Sequence, residues 1–237
     1  EQVPDGETLF SVGDAVAGMT GMRLRAHAEF ARVPISSLAA IPPGVSNEDA
    51  AAILFGGTTA LHFLRDRARV RSGDRVLVNG ASGAVGTAAV QLAAHFGASV
   101  TAVASARNHD LVTRLGAVRT IDYAQAPVTD IEDRFDVVFD AVGNISRAEG
   151  LRLLASEGAL VLAVASLSDT VRARGRVFAG SAPERAEDVA FLLDLVEREI
   201  VDPVTRVAGG LTVIREAHQV VDSGRKVGNL VILPSAA

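Results

Sequence analysis

The pattern of apolar positions switches repeatedly between strand-like and helix-like over the middle of the chain. Short β-branched runs, beginning with RVLVN at 75–79, alternate with segments whose apolar residues recur every three or four positions. The pattern predicts strands at 75–79, 99–105, 119–123, 135–140, 159–165 and 176–179. Because these strands are apolar on both faces and alternate with helices, we predict a parallel sheet covered by helices.

The segments on either side of this region have a different texture. Short apolar pieces separated by Pro and Gly fill residues 1–45, and a last strand is predicted at 229–233. Helix starts are predicted by capping boxes at Ser46–Asp49 and Ser181–Glu184, and by Thr212, which we expect to cap a helix ending at Asp222.

These patterns together predict an α/β protein with two domains. A doubly wound parallel Rossmann sheet at about 70–200 is inserted in a smaller β-rich domain made of 1–69 and 201–237. The chain opens on Glu1, in what reads as the middle of a β-rich segment. We therefore expect the smaller domain to be amino-terminally incomplete.

Composition excludes several classes of protein. The 237 residues carry 23 Lys+Arg against 28 Asp+Glu, a net charge of −5, with no basic block for nucleic acid or an anionic membrane. There is no cysteine, which excludes disulfide scaffolds, thiolate zinc sites and cysteine nucleophiles and suits the reducing cytoplasm. No apolar run reaches the roughly 18 residues of a transmembrane helix.

A glycine cluster between the first predicted strand and its helix carries the first candidate chemistry. From Ala81 it reads A-x-G-x-x-G, the dinucleotide-binding pattern with Ala in place of the first glycine. Gly83 would let the backbone approach a diphosphate, and Gly86 would let the helix pack on the strand. The amino end of the helix would supply amide donors and partial positive charge.

The end of the second strand indicates which dinucleotide is bound. Enzymes that select NAD place Asp or Glu there, about 20 residues after the glycines, to hold the ribose hydroxyls. Here Ser105, 22 residues after Gly83, is followed by Arg107, and no carboxylate occurs before Asp110. A hydroxyl and a guanidinium suit a 2′-phosphate, so we predict NADP(H), although Arg107 also fits a solvated residue at a helix start.

At this point the sequence resembles a known family. Residues 75–92, RVLVNGASGAVGTAAVQL, together with FDVVFDAVG at 135–143, resemble the zinc-independent NADPH:quinone oxidoreductases of the medium-chain dehydrogenase/reductase superfamily. Shorter segments agree in the same order along the chain, including AHAEF at 26–30, IPPGV at 41–45, IDY at 121–123 and EAH at 216–218. The resemblance implies a Rossmann domain inserted in a GroES-like catalytic domain.

The resemblance also implies roles for particular residues. Ser82, Gly83, Ala84 and Val85 would cradle the diphosphate, and Ser105, Arg107 and Tyr123 would surround the 2′-phosphate. Thr59 and the loops after Val142 and Val164 would lie near the nicotinamide, and Lys226 or Asn229 would reach the cofactor from the carboxyl-terminal segment. Thr59, Tyr123 and Lys226 also fit structural roles, as a helix-interior residue, a strand-end ring and a solvated turn charge.

Other dehydrogenase and hydrolase chemistries fit the residues poorly. A short-chain dehydrogenase needs Lys four positions after its Tyr, but Tyr123 is followed there by Pro127. The five histidines are scattered, His27 and His218 read as core or surface residues, and we predict no metal site. Gly83 directly follows Ser82, whereas a nucleophile elbow needs G-x-S-x-G. No side chain is assigned as a general acid or base.

We therefore predict an NADPH-dependent oxidoreductase that transfers hydride to a quinone or an activated C=C (enone) acceptor. Two alternatives stay open: an enoyl or alkenal reductase of a biosynthetic pathway, and a non-catalytic NADPH-binding sensor if the chain truly starts at Glu1. We also expect a homodimer, since the predicted strand Arg176–Ala179 should be the sheet's edge.

Overall fold

The computed structural model describes residue 3, residues 9–21 and residues 26–234. The strands are β1 (Val16–Gly18), β2 (Leu38–Ala40), β3 (Arg75–Asn79), β4 (Ser99–Ala104), β5 (Ala117–Asp122), β6 (Phe135–Asp140), β7 (Leu154–Leu162), β8 (Val177–Ala179), β9 (Thr205–Gly209) and β10 (Asn229–Ile232). The helices are α1 (Asn47–Leu61), α2 (Ala84–His95), α3 (His109–Arg114), α4 (Arg147–Arg152), α5 (Leu167–Arg172), α6 (Ala186–Glu197) and α7 (Ile214–Asp222). Within these residues, no helix combines the length and apolarity needed to cross a bilayer.

The central sheet has six parallel strands in the order β5-β4-β3-β6-β7-β8. This confirms the predicted doubly wound Rossmann sheet. Its middle strands are apolar and fully buried, as Val76, Leu77 and Val78 show, because helices cover both faces. β7 begins at Leu154, earlier than predicted, and ends at Leu162, so Val164 lies in the loop that follows.

The strand order reverses direction at β3. This strand hydrogen-bonds to β4 on one side and to β6 on the other, so the connections leave it in opposite directions. In such sheets the ligand crevice opens at the carboxyl ends of the strands where the order reverses. Asn79 and Asp140, the last residues of β3 and β6, are paired in register at this point.

Helix α1 packs against both α2 and α6. The predicted cap is confirmed, since the Ser46 hydroxyl accepts the Asp49 N–H at 3.0 Å. Gly56 lets α1 approach closely, because a Cβ there would lie 2.8 Å from the Ala84 carbonyl carbon. The first turn of α2 is therefore seated directly on α1.

A π-helical turn, His62–Arg67, extends α1, and its Arg65 forms an ion pair with Asp188 of α6. Arg65 donates to Asp188 at 2.6 Å and to Asp66 at 2.6 Å. The hydrogen bond from Arg65 lowers the pKa of Asp66, and bonding to both carboxylates raises the pKa of Arg65. Because the Asp188 side chain is buried, Arg65 supplies the charge that it needs inside the fold.

Two predicted helix caps are wrong. The Ser181–Glu184 segment stays irregular, and α6 begins after Arg185, which makes no side-chain capping bond; the acidic first turn faces the helix dipole instead. Thr212 lies inside a 3-10 turn, Leu211–Val213, and α7 begins after Val213, again without a side-chain cap.

The described residues outside the central sheet form two small sheets. β1 and β2 pair antiparallel, whereas β9 and β10 pair in parallel. β9 was not predicted, because its sequence TRVAG has little strand pattern and its partner lies some twenty residues further along the chain. Helix α5, which follows Ser166, was also missed.

Candidate functional site

The glycine turn between β3 and α2 is held firmly to the sheet. The N–H groups of Gly80 and Ala81 donate to the Val103 carbonyl on β4, at 3.1 and 3.0 Å. Gly80 has φ of +78°, a conformation that favours glycine. A Cβ on Gly86 would lie 2.8 Å from Ala81 Cα, so this position requires glycine for α2 to start against the turn.

The amino end of α2 is open for a ligand. Gly83 caps the helix in an extended conformation with no side-chain capping bond, which leaves the first amides of the helix without an intrahelical acceptor. A Cβ on Gly83 would have only the Gly80 carbonyl oxygen within 4 Å, at 3.5 Å, so its outer face is clear. Ser82, Gly83, Ala84 and Val85 are all partly exposed there.

The carboxyl-terminal segment lies directly on this turn. Gly228 forms a β-bridge with Gly83, and its N–H donates to the Ser82 carbonyl at 2.9 Å. Lys226 donates to the Gly228 carbonyl, and burial lowers the pKa of Lys226. Asn229, by contrast, donates its side-chain amide to the Pro203 carbonyl at 2.6 Å and its backbone N–H to the Val204 carbonyl at 3.0 Å, so neither donor is directed to the glycine turn.

The turn after β4 meets the glycine turn from the other side. Asn108 donates through Nδ2 to the Ser82 hydroxyl at 3.0 Å. Ser105 leads into the 3-10 turn Ala106–Asn108, and Arg107 is exposed there, with no ion pair to any described residue. Ala104 pairs with Asp122 in the sheet, so Ser105 and Tyr123, the residues that follow them, leave adjacent strands side by side.

A fully buried carboxylate organises the loop after β6. Asp140 accepts from the Asn79 side chain at 2.9 Å and from the N–H groups of Val142 at 3.0 Å, Gly143 at 3.2 Å and Ile145 at 3.4 Å. Asn79 also donates to Asn144 at 2.7 Å. The network ties the end of β3 to this loop and turns the loop's N–H groups inward.

The loops after β6 and β7 present apolar side chains at the carboxyl edge of the sheet. Val142 is 47% exposed and Val164 is 51% exposed. They belong to neighbouring loops, since a Cβ on Gly143 would lie 2.9 Å from Val164 Cγ1. These two valines therefore form an apolar surface where β6 and β7 end.

The two remaining predicted residues are Thr59 and Tyr123. Thr59 is on α1, one turn beyond Gly56, partly buried, and no described residue hydrogen-bonds its hydroxyl. Tyr123 is 56% exposed just beyond β5. The structure thus groups the predicted residues 82–85 with 226–229 and with the turn 105–108, and groups Val142 with Val164.

Sequence reasoning missed Asn108, Asp140 and Gly56. The signal for Asp140 was available, because Asn79 and Asp140 are polar last residues that each follow an apolar run, Val76–Val78 in β3 and Val137–Phe139 in β6. A polar side chain buried at a strand end needs a partner, and here each partners the other. Asn108 and Gly56 carried no such signal, because their contacts lie on other elements.

No group of three or more His, Cys, Asp or Glu side chains among residues 3, 9–21 and 26–234 is arranged to hold a metal ion. His27 and His218, which we expected to be core or surface residues, meet edge to face with ring centroids 5.5 Å apart.

A cavity of about 620 Å³ beside β5 is lined by Asp122, Asp130, Glu132 and Asp133. Among the described lining residues, the cation is Arg119, which is paired with Asp133 at 2.6 Å. Because carboxylates repel phosphates, this cavity is unsuited to a dinucleotide.

Comparison with known proteins identifies relatives of the chain. Residues 84–181 match the family model described as zinc-binding dehydrogenase. The chain is 33% identical to a 2-methylene-furan-3-one reductase of Solanum lycopersicum over 211 residues, which is 87% of this chain and 52% of the tomato protein. It therefore spans about half the length of that relative.

Solved structures agree with this match. The quinone oxidoreductase of Coxiella burnetii superposes with a TM-score of 0.81 at 26% identity, covering 95% of this chain and 73% of that one. A mycobacterial protein complexed with NADPH superposes with a TM-score of 0.69 at 28% identity, covering 85% of this chain and 69% of its own.

Proposed function

We propose that the chain is a quinone oxidoreductase-like member of the medium-chain dehydrogenase/reductase superfamily and that it uses NADPH to reduce a quinone or an enone. The observation that carries the proposal is the uncapped amino end of α2, whose turn is bonded through Ser82 to Asn108, the residue after the exposed Arg107. The Arg107 guanidinium has no ion pair with any described residue. Free amide donors and an unpaired cation are what a phosphorylated dinucleotide requires.

The residues present fit NADP(H) at both of its phosphate sites. The amides of Ala84 and Val85, with the Ser82 hydroxyl, would hold the diphosphate above the clear face of Gly83. Arg107, with Ser105 and Tyr123 on the neighbouring strand ends, would hold the 2′-phosphate. The NADPH complex of the mycobacterial relative supports this choice of cofactor.

The nicotinamide would lie at the carboxyl edge of the sheet, near Val142, Val164 and the hydroxyl of Thr59. When bound, NADPH supplies the hydride; the protein orients the ring and the acceptor and excludes water. The apolar side chains of Val142 and Val164 suit a flat, weakly polar acceptor, and the activities named for the tomato and Coxiella relatives support a quinone or an enone.

Steady-state NADPH oxidation with a panel of quinones and enones tests the proposal, with cofactor binding measured in parallel by fluorescence. We expect saturable NADPH binding and turnover with at least one acceptor class. Binding with no oxidation of any acceptor would overturn the reductase proposal and favour an NADPH sensor. Absence of binding would overturn the cofactor assignment as well.

We further propose the domain division and assembly predicted above. Residues 70–200 would form the NADP-binding domain, because all six strands of the central sheet lie within them, and 1–69 with 201–237 would form the catalytic domain. β8 is hydrogen-bonded only to β7 among the described strands, so its free edge would pair with a second copy in a homodimer in the cytoplasm. A sedimentation mass of one chain at micromolar concentration would contradict the dimer.

A further inference from the structure

The contact between Asn108 and Ser82 joins two turns that are 26 residues apart in sequence. Ser82 belongs to the glycine turn after β3, and Asn108 ends the 3-10 turn after β4. The Asn108 backbone is itself fixed, since its N–H donates to the Ser105 carbonyl at 2.8 Å. Both residues are partly buried.

The side chain of Asn108 does not cap the helix that follows it. Asn108 stands immediately before α3, where asparagine usually caps the helix with its side chain. Its side chain makes no capping bond and reaches across to Ser82 instead. The structure therefore keeps a bond between the two turns in place of a bond that would stabilise α3.

The direction of this bond determines what Ser82 has left to offer. An amide NH₂ group only donates, so Ser82 Oγ accepts from Asn108 and its single hydroxyl hydrogen is not used in that bond. No described residue accepts that hydrogen, and the Ser82 carbonyl is already occupied by the Gly228 N–H. A fixed, unused O–H donor therefore stands beside the uncapped amides of α2.

We propose that Asn108 is a positioning residue that holds the Ser82 hydroxyl as a donor to the cofactor diphosphate. The inference rests on the proposed function and extends it. The diphosphate is common to NADPH and NADH, so the Ser82–Asn108 pair contributes equally to both, whereas the neighbouring Arg107 contributes to NADPH alone.

The test is a double-mutant cycle on the full chain, with Ser82→Ala, Asn108→Ala and both together, measuring the Kd values of NADPH and NADH and the melting temperature. We expect each single change to weaken both cofactors by about tenfold, as is typical of a hydrogen bond to a charged group. The double variant should bind about as weakly as either single variant, because the two residues act as one unit.

Asn108→Asp makes the test sharper. It keeps the side-chain shape, but the carboxylate would capture the Ser82 hydroxyl hydrogen and place a negative charge near the diphosphate. We expect a larger loss for both cofactors than in Asn108→Ala. Asn47→Ala is the matched control: Asn47 is exposed on α1, its side chain bonds to no described residue, and the variant should bind both cofactors as the parent protein does.

The outcomes separate this inference from the proposed function. Additive effects of the two single changes, or unchanged Kd values in Asn108→Ala, would overturn the positioning role while leaving NADPH binding intact. Loss of NADPH affinity alone in Asn108→Ala would assign the residue to the 2′-phosphate and also overturn it. If the parent protein binds neither cofactor, the proposed function fails and this inference fails with it.

Discussion

The two adjacent glycines in α1 allow a controlled test of how this helix holds the candidate site. A Cβ on Gly56 would lie 2.8 Å from the Ala84 carbonyl carbon and 3.2 Å from the Val85 nitrogen, which are backbone atoms at the start of α2. A Cβ on Gly57 would lie 2.9 Å from Leu192 Cδ1 and 3.0 Å from Ile53 Cγ1, which are side-chain atoms.

Both substitutions bring the same gain and differ in the clash. Replacing glycine by alanine inside a helix gains about 1 kcal/mol of stability. The atoms that a Cβ on Gly57 would meet belong to side chains, which can shift by a few tenths of an ångström, so Gly57→Ala should stay within about 1 kcal/mol of the parent. The backbone of α2 cannot move aside in the same way, so the clash in Gly56→Ala should cost about 3 kcal/mol, the upper end of the range for overpacked cores. After the gain of about 1 kcal/mol, this variant should be about 2 kcal/mol less stable than the parent.

Thermal unfolding measures the difference directly. For a chain of this size, about 2 kcal/mol lowers the melting temperature by roughly 4–8 °C in Gly56→Ala. Binding should also suffer, because separating α1 from α2 displaces the amides of Ala84 and Val85 that we assign to the diphosphate. We expect the Kd for NADPH to rise by about tenfold or more in this variant and to stay unchanged in Gly57→Ala.

One result would refute this reasoning. If Gly56→Ala melts at or above the temperature of Gly57→Ala and binds NADPH normally, then the close approach of α1 to α2 does not support the site.

Three further predictions follow from single contacts. Arg107→Glu should weaken the binding of NADPH far more than the binding of NADH, because only NADPH carries the 2′-phosphate. An equal loss of affinity for both cofactors would contradict the assignment of Arg107 to the 2′-phosphate. Asp140→Asn should lower stability to urea by about 2–4 kcal/mol, since one amide oxygen replaces two buried acceptors. The matched change Asp136→Asn, at the partly exposed start of the same strand, should cost less than about 1 kcal/mol, because the amide oxygen can still accept the Arg75 N–H and only a surface ion pair is lost. Burial lowers the pKa of Lys226, the only lysine, below its ordinary 10.5. In the alkaline range just below 10.5, the folded state therefore binds fewer protons than the unfolded state. The free energy of unfolding should rise with pH in that range. In Lys226→Met, the urea midpoint should no longer rise with pH across that range. If it still rises, another titrating group causes the effect.

Part of the site followed from sequence because its residues are local to one strand–turn–helix unit. The turn from Gly80 to Gly86 could be predicted from the spacing of its glycines, because neighbouring residues impose the need for glycine. Gly80 adopts a positive φ, and Gly86 packs closely against the turn. The assignments of Ser82, Arg107 and the other cofactor residues stay predictions, although the structure gathers several of them at one crevice.

Other features depended on partners distant in sequence. Ser181 and Thr212 are residue types that cap helices well, but Ser181 lies in an irregular loop and Thr212 lies in a 3-10 turn. Helices α6 and α7 therefore begin later than predicted. β9 exists because β10 pairs with it, and the pairing of His27 with His218 joins the amino-terminal segment to α7. None of these contacts leaves a periodic signal in its own segment.

By itself, then, the sequence determined the alternation of strands and helices, the parallel sheet and the glycine turn, because periodicity and backbone sterics act over a few residues. Only the tertiary structure decided that Asn108 bonds to Ser82, that Asp140 gathers the loop after β6, and that Gly228 bridges to Gly83. The physical reason is that a buried polar group takes whichever partner the packing of distant elements brings within hydrogen-bond distance.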